Sequence, residues 1–126
     1  MDLKDYFAST KGTGVLATAD AQGRVNAAIY ARPHVLENDE VAFIMPDRLT
    51  HANLQQNGHA AYLFIEVGGR ARGRRLSLTR TREEKDSDLL RSLRRRTYPK
   101  ADGEPRYLVF FKVEKILPLV GTAEES

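Results

Sequence analysis

"PDRLTHANLQQNGHAAYLFIE" (residues 46–66) sets a Pro, an Arg and a Thr before a short polar segment, then runs into apolar residues. The change of character divides the stretch in two. "RLTHANLQQN" predicts a helix of about two turns, with Asp47 or Thr50 placed to serve as N-cap and Asn57 with Gly58 as its stop. A helix that short is marginal alone, so its surroundings must hold it. "HAAYLFIE" predicts a strand with apolar residues on both faces.

Working upstream, "HVLENDEVAFIMP" reads as two strands with Asn38 and Asp39 in the bend and Pro46 ending the second. "TGVLATADAQGRVNAAIYA" reads as a hairpin turning at "DAQG", where Asp20 and Gly23 supply turn chemistry. "MDLKDYFAST" suits a short amphipathic helix capping the domain, with Leu3, Tyr6 and Phe7 at helical spacing. Downstream, Gly68 and Gly69 make a turn, and "GRRLSLTRTREE" returns with Leu76 and Leu78 alternating against Ser77 and Thr79. "KDSDLLRSLRRRTY" predicts a helix over about 85–96, its stripe of Leu89, Leu90 and Leu93 packing on the barrel mouth. "EPRYLVFFKVEKILPLV" is a last long strand with Tyr107, Val109, Phe111 and Val113 on one face, and "GTAEES" is a polar tail expected to fray. Many strands at short spacing, joined by brief helices, predict a small, mainly β antiparallel barrel.

The 126 residues fit one domain, 1–126, that buries roughly two thirds of the surface exposed by its unfolded chain. Hydrophobic residues at 41% and charged residues at 29% are ordinary globular values. With no cysteine, disulfides, thiolate nucleophiles, iron–sulfur clusters and zinc ribbons are excluded. The N-terminal stretch lacks a basic region followed by an apolar core, and no apolar run approaches the roughly 18 residues of a membrane span. The expectation is a soluble, cytoplasmic protein. The net charge of +3 suits a phosphate-bearing ligand as well as nucleic acid, and arginines cluster at Arg70, Arg72, Arg74 and Arg75 and at Arg91, Arg94, Arg95 and Arg96.

Three features could carry chemistry. The first amides of a helix are unpaired donors at the positive end of its dipole, so Arg48 and the Thr50 hydroxyl at that point would complete a phosphate site. The plainer reading is a capped helix with Arg48 in solvent. Asn26, Ala27 and Ala28 put small side chains on a strand that favours bulky ones, which lets a flat ligand approach the backbone or merely fits a crowded interior. Arg72, Arg74 and Arg75 could reach a phosphate or ring carbonyl, or could guard an edge strand. His34, His51 and His59 lack metal-ligand spacing; G-x-S-x-G and G-x-G-x-x-G are both absent; Glu83 and Glu84 read as solvated charge.

The order of these parts, "GVLATAD-x-x-G", "VN-A-A", "VAFIMP", "RLTHANLQQN" and a both-face apolar strand, resembles the pyridoxamine 5′-phosphate oxidase-like FMN-binding split-barrel family over residues 10–118. The resemblance implies a six-stranded antiparallel split β-barrel, a homodimer, and one FMN in each of two grooves at the subunit interface. It implies that Arg48, Thr50 and the Leu49 and Thr50 amides hold the phosphate. Asn26, Ala27, Ala28 and Ile29 would line the isoalloxazine through backbone contacts, Ile44 and Met45 would lie beneath the ribityl chain and ring, and Arg75 would reach the flavin. Relatives often carry Lys or Arg beside the Thr; Leu49 and His51 stand here, so the phosphate leans on Arg48. The chain has no Trp for the oxidase's C-terminal signature, and its last histidine is His59, far from the C-terminal His of the haem-degrading relatives.

The function so implied is an FMN-dependent oxidoreductase passing hydride or electrons between a reduced nicotinamide and an unnamed acceptor, with no catalytic side chain required. A deazaflavin-dependent reductase, whose cofactor has a longer acidic tail, and a non-catalytic FMN carrier are alternatives in the same fold. A nucleic-acid-binding barrel is disfavoured because Tyr62, Phe64, Phe110 and Phe111 lie in apolar runs rather than among the basic residues.

Overall fold

Alternation at every second residue builds the sheet. The computed structural model describes residues 2–94 and 105–121. In β1 (Gly12–Ala19), Leu16 and Thr18 are buried while half-buried Val15 and Ala17 take the other face. The chain turns into β2 (Val25–Ile29) through Asp20, whose carboxylate accepts from the Gln22 and Arg24 amides at 2.9 Å, with Gly23 at φ +82°. There follow β3 (His34–Val35), β4 (Val41–Pro46), β5 (His59–Glu66), β6 (Gly73–Lys85) and β7 (Arg106–Pro118).

All pair antiparallel in one seven-stranded sheet, in the order β2-β1-β5-β6-β7-β4-β3. The strand beyond the six implied by the resemblance is the short β3, the first of the pair read in "HVLENDEVAFIMP", which reaches only Val41 and Ala42 of β4. A 3₁₀ turn at Glu37–Asp39, with Asn38 and Asp39 at positive φ, cuts that pairing short. Register shifts at Ser77/Leu78 and Arg80/Arg82 let the long β6–β7 ribbon bend. β2 and β3 are the ends of the order, so the barrel stays split between β2 and the β3–β4 edge.

The interior joins Leu16, Phe43, Met45, Tyr62, Phe64, Leu76, Val109 and Phe111. As expected, α1 (Leu3–Ser9) caps it: Asp2 accepts from the Lys4 and Asp5 amides at 3.0 and 3.4 Å, and Leu3 and Phe7 enter the core. Burial of a ring such as Phe64 contributes on the order of 2–3 kcal/mol. A Cβ at Gly14 would lie 1.9 Å from Tyr62 Oη, whose hydroxyl bonds the Tyr30 and Ala31 carbonyls, so only glycine fits there.

The outer face of β4–β7 carries Ala42, Ile44, Leu108 and Phe110, covered by Leu90 and Leu93 of α3 (Asp88–Arg94). This corrects the expected helix in two respects. β6 runs on to Lys85, so α3 begins later, with Ser87 Oγ accepting from the Leu90 amide. It lies outside the barrel rather than at its mouth, and Leu89 is 38% exposed instead of joining the stripe. The side chains at 94–96 and the tail past Gly121 lie outside the described residues. Farther along the outer face, on β2 and β5, Val25, Ile29 and Ile65 stand exposed at 82%, 71% and 40%, with no described element over them. No helix among the described residues is long and apolar enough to cross a membrane.

Candidate functional site

α2 (Leu49–Gln56) leaves β4 directly and stands at the split, against β1, β2 and β4. Of its side chains Leu54 is the apolar one in the core, so polar bonds must seat it. Asn53 Nδ2 donates to Thr18 Oγ1 at 3.1 Å, and Gln56 Oε1 accepts from the Ala21 amide at 3.0 Å. On the opposite flank, Glu83 of β6 takes Gln55 Nε2 at 2.9 Å and His51 Nε2 at 3.0 Å, while Arg80 Nε donates to the Leu54 carbonyl at 3.2 Å. The His51 ring lies flat on Tyr107 with centroids 3.7 Å apart. Burial would raise the Glu83 carboxyl, but its bonds from His51 and Gln55, with Arg80 close by, outweigh that and hold it below the usual carboxylate range. Glu83 is therefore a helix anchor and not the solvated charge the sequence suggests.

The start of α2 also departs from expectation. Neither Asp47 nor Thr50 is the N-cap: Arg48 holds that position in extended conformation, and its side chain makes no capping bond. The Leu49 and Thr50 amides thus head the helix with no side chain among the described residues capping them. Thr50 is 5% exposed, and its hydroxyl has no bonding partner among the described residues. Leu49 and Arg48 are exposed. At the far end Asn57 is extended, its Oδ1 accepting from the His59 amide at 3.0 Å, in place of the expected left-handed stop.

The strand edges beside α2 differ residue by residue. The Tyr30 amide bonds Gly14 and the Asp20 amide bonds Arg24, so by antiparallel alternation Asn26 and Ala28 spend their backbone groups on β1, while those of Ala27 and Ile29 point out from the open edge. The backbone contacts expected of all four are thus open to Ala27 and Ile29 alone; Asn26 and Ala28 offer side chains on the inner face. On β4, Leu36 bonds Glu40, so Ile44 directs its backbone to the open edge and Met45 to β7. The Ile44 side chain is under α3, and Met45 is wholly buried in the barrel, so Met45 offers a ligand nothing. Arg75 lies three strands from β2, level with Leu63, Val15 and Ile29. Its guanidinium donates to the Pro118 carbonyl at 2.9 Å and to the Gly121 carbonyl, tying down the end of β7.

An open antiparallel barrel with an uncapped, cation-flanked helix start at its split defines the class. No family model matches the chain, and no curated protein matches it. Solved structures do. An FMN-binding protein from Syntrophomonas wolfei subsp. wolfei superposes with a TM-score of 0.77 at 18% identity, over 94% of this chain and 84% of that one. An F420 reductase gives 0.68 at 19%, over 92% and 97%. A pyridoxamine 5′-phosphate oxidase-related, FMN-binding protein from Nostoc punctiforme gives 0.61 at 15%, over 86% and 76%. The chain therefore has the split-barrel fold of the pyridoxamine 5′-phosphate oxidase-like proteins. At these identities the likeness is one of fold.

Proposed function

We propose that the protein binds FMN noncovalently as a homodimer and serves as an oxidoreductase between a reduced nicotinamide and an acceptor. The observation that carries the reading is the start of α2: the Leu49 and Thr50 amides have no side-chain cap among the described residues, and Arg48 and Thr50 stand in that same turn, where a phosphate monoester needs donors and positive potential. The donor set fits the group. Beside it, the outward backbone of Ala27, Ile29 and Ile44 can bond the edge of a flat ring, and Asn26 and Ala28 leave room for it. FMN, when bound, supplies the hydride or electron chemistry; the chain orients it and excludes water.

The homodimer rests on the bare apolar face of β2, β1 and β5, whose Val25, Ile29 and Ile65 a second copy would cover. Arg75, in the same row as Ile29, would then meet the second copy's ligand only by releasing Pro118 and Gly121. Purified protein should retain FMN through gel filtration, one per chain, with flavin absorbance coeluting. Protein that retains F420 in preference to FMN from a mixture of the two would move the assignment to the deazaflavin reading; retention of neither would overturn both.

A further inference from the structure

The connection from β2 to β3, together with α1 and the end of α3, encloses a cavity of about 370 Å³ that shares no lining residue with the start of α2. That volume falls among small-molecule sites, which span roughly 300–1,000 Å³. Phe7 of α1, Leu36 after β3 and Leu93 of α3 give it an apolar wall, and its polar side chains are Lys4, Arg32 and His34. All three are basic, and no carboxylate among the described residues lines the cavity.

Arg32 is held in place before any ligand arrives: its Nη1 donates to the Phe7 and Thr10 carbonyls at 2.8 Å each, closing the C-terminal end of α1. The donors left over, Nε–H and an Nη2–H, lie parallel on one edge of the guanidinium and match the two oxygens of a carboxylate. Neither Arg32 nor Lys4 has an ion-pair partner among the described residues. His34 stands opposite Ala42, on the outer face where Leu36 and Leu93 pack. It is half-buried, and its ring has no bonding partner among the described residues. Burial pushes its imidazole below the ordinary range, so at neutral pH the ring is uncharged and offers one N–H. An unpartnered polar ring in an apolar setting costs stability and awaits an acceptor.

We propose that this cavity binds a small organic carboxylate with an apolar body. Arg32 takes the carboxylate edge-on, Lys4 supplies a second positive charge, His34 gives a third donor, and the body lies on Phe7, Leu36 and Leu93. The inference is independent of the flavin reading.

Benzoate is the probe, titrated into the whole chain and followed by calorimetry and by the His34 ring resonances. It should bind at one site per chain and shift those resonances. Benzamide has the ring without the charge, and acetate the charge without the ring; each should bind at least about tenfold more weakly. Equal binding of either, or displacement of benzoate by inorganic phosphate at equal concentration, would overturn the proposal. Lys4 is exposed, so Lys4→Glu leaves the fold intact; it should weaken benzoate about tenfold, the loss of one charge-assisted bond, and leave FMN retention as in the parent. His34→Leu should also weaken benzoate, while its urea midpoint stays at or above the parent's because the ring has no bond to lose. A lower midpoint would make His34 structural and overturn its part as a donor; benzoate affinity unchanged in both variants would overturn the site. Benzoate bound by protein that retains no flavin would leave this proposal standing while the flavin reading fails.

Discussion

Arg48 and Thr50 are legible from sequence because everything that marks them lies within a few residues: the end of β4, the polar helix and the hydroxyl. Replacing Arg48 with Ala should weaken FMN by about 1–3 kcal/mol, the range for a lost charge-assisted bond, and leave riboflavin affinity unchanged in a fluorescence titration. Glu83 was not legible, since its partner His51 lies 32 residues away and two adjacent glutamates look alike on paper. The structure separates them: Glu83 is bonded to α2, Glu84 to Arg82 at 2.7 Å. Because the folded state holds Glu83 below its unfolded value, its contribution is present above the unfolded pKa of about 4.3 and is lost as pH falls through the folded value. Urea unfolding of the parent and of Glu83→Gln should therefore differ at pH 6 and converge toward pH 3, each pH being roughly one to two units from the unfolded value. A constant difference would show that the carboxylate's charge is not what anchors α2.

At the scale of elements, α2 shows why a polar segment between two strands can still be a fixed helix. Its Asn53–Thr18 bond is buried, so Asn53→Ala should cost about 1–3 kcal/mol by leaving the Thr18 hydroxyl unpaired, measurable as a lower urea midpoint with unchanged slope. The helix was readable, but its clamps were not: Thr18, Ala21, Arg80 and Glu83 come from the hairpin and from β6. The leucines of α3 teach a related lesson. All three looked equivalent in a short stripe, yet Leu90 is 1% exposed under β4–β7 and Leu89 is 38% exposed. Leu90→Ala should destabilise by about 2–5 kcal/mol and Leu89→Ala by about 0.5 kcal/mol or less, the helix phase having been set by the Ser87 cap.

For the whole molecule, the two outer faces of one sheet meet different fates. The β4–β7 face is closed by α3, while the β2–β1–β5 face has no cover within the described residues. The proposed homodimer places a second copy there, so Ile29→Lys should shift the mass by light scattering from dimer to monomer and abolish FMN retention in the same step. Loss of the dimer with FMN retained would separate the ligand site from the interface. The sequence by itself determined the strands, their turns at Gly23 and Gly68–Gly69, the helix inserted between β4 and β5 and its Arg-x-Thr start. Those depend on periodicity and turn chemistry over a few neighbouring residues. Only the tertiary structure decided that Glu83 clamps His51, that Arg75 is spent on the end of β7, and which sheet face stays bare. Each of those is fixed by which distant residues the strand order brings side by side, and no local pattern records that order.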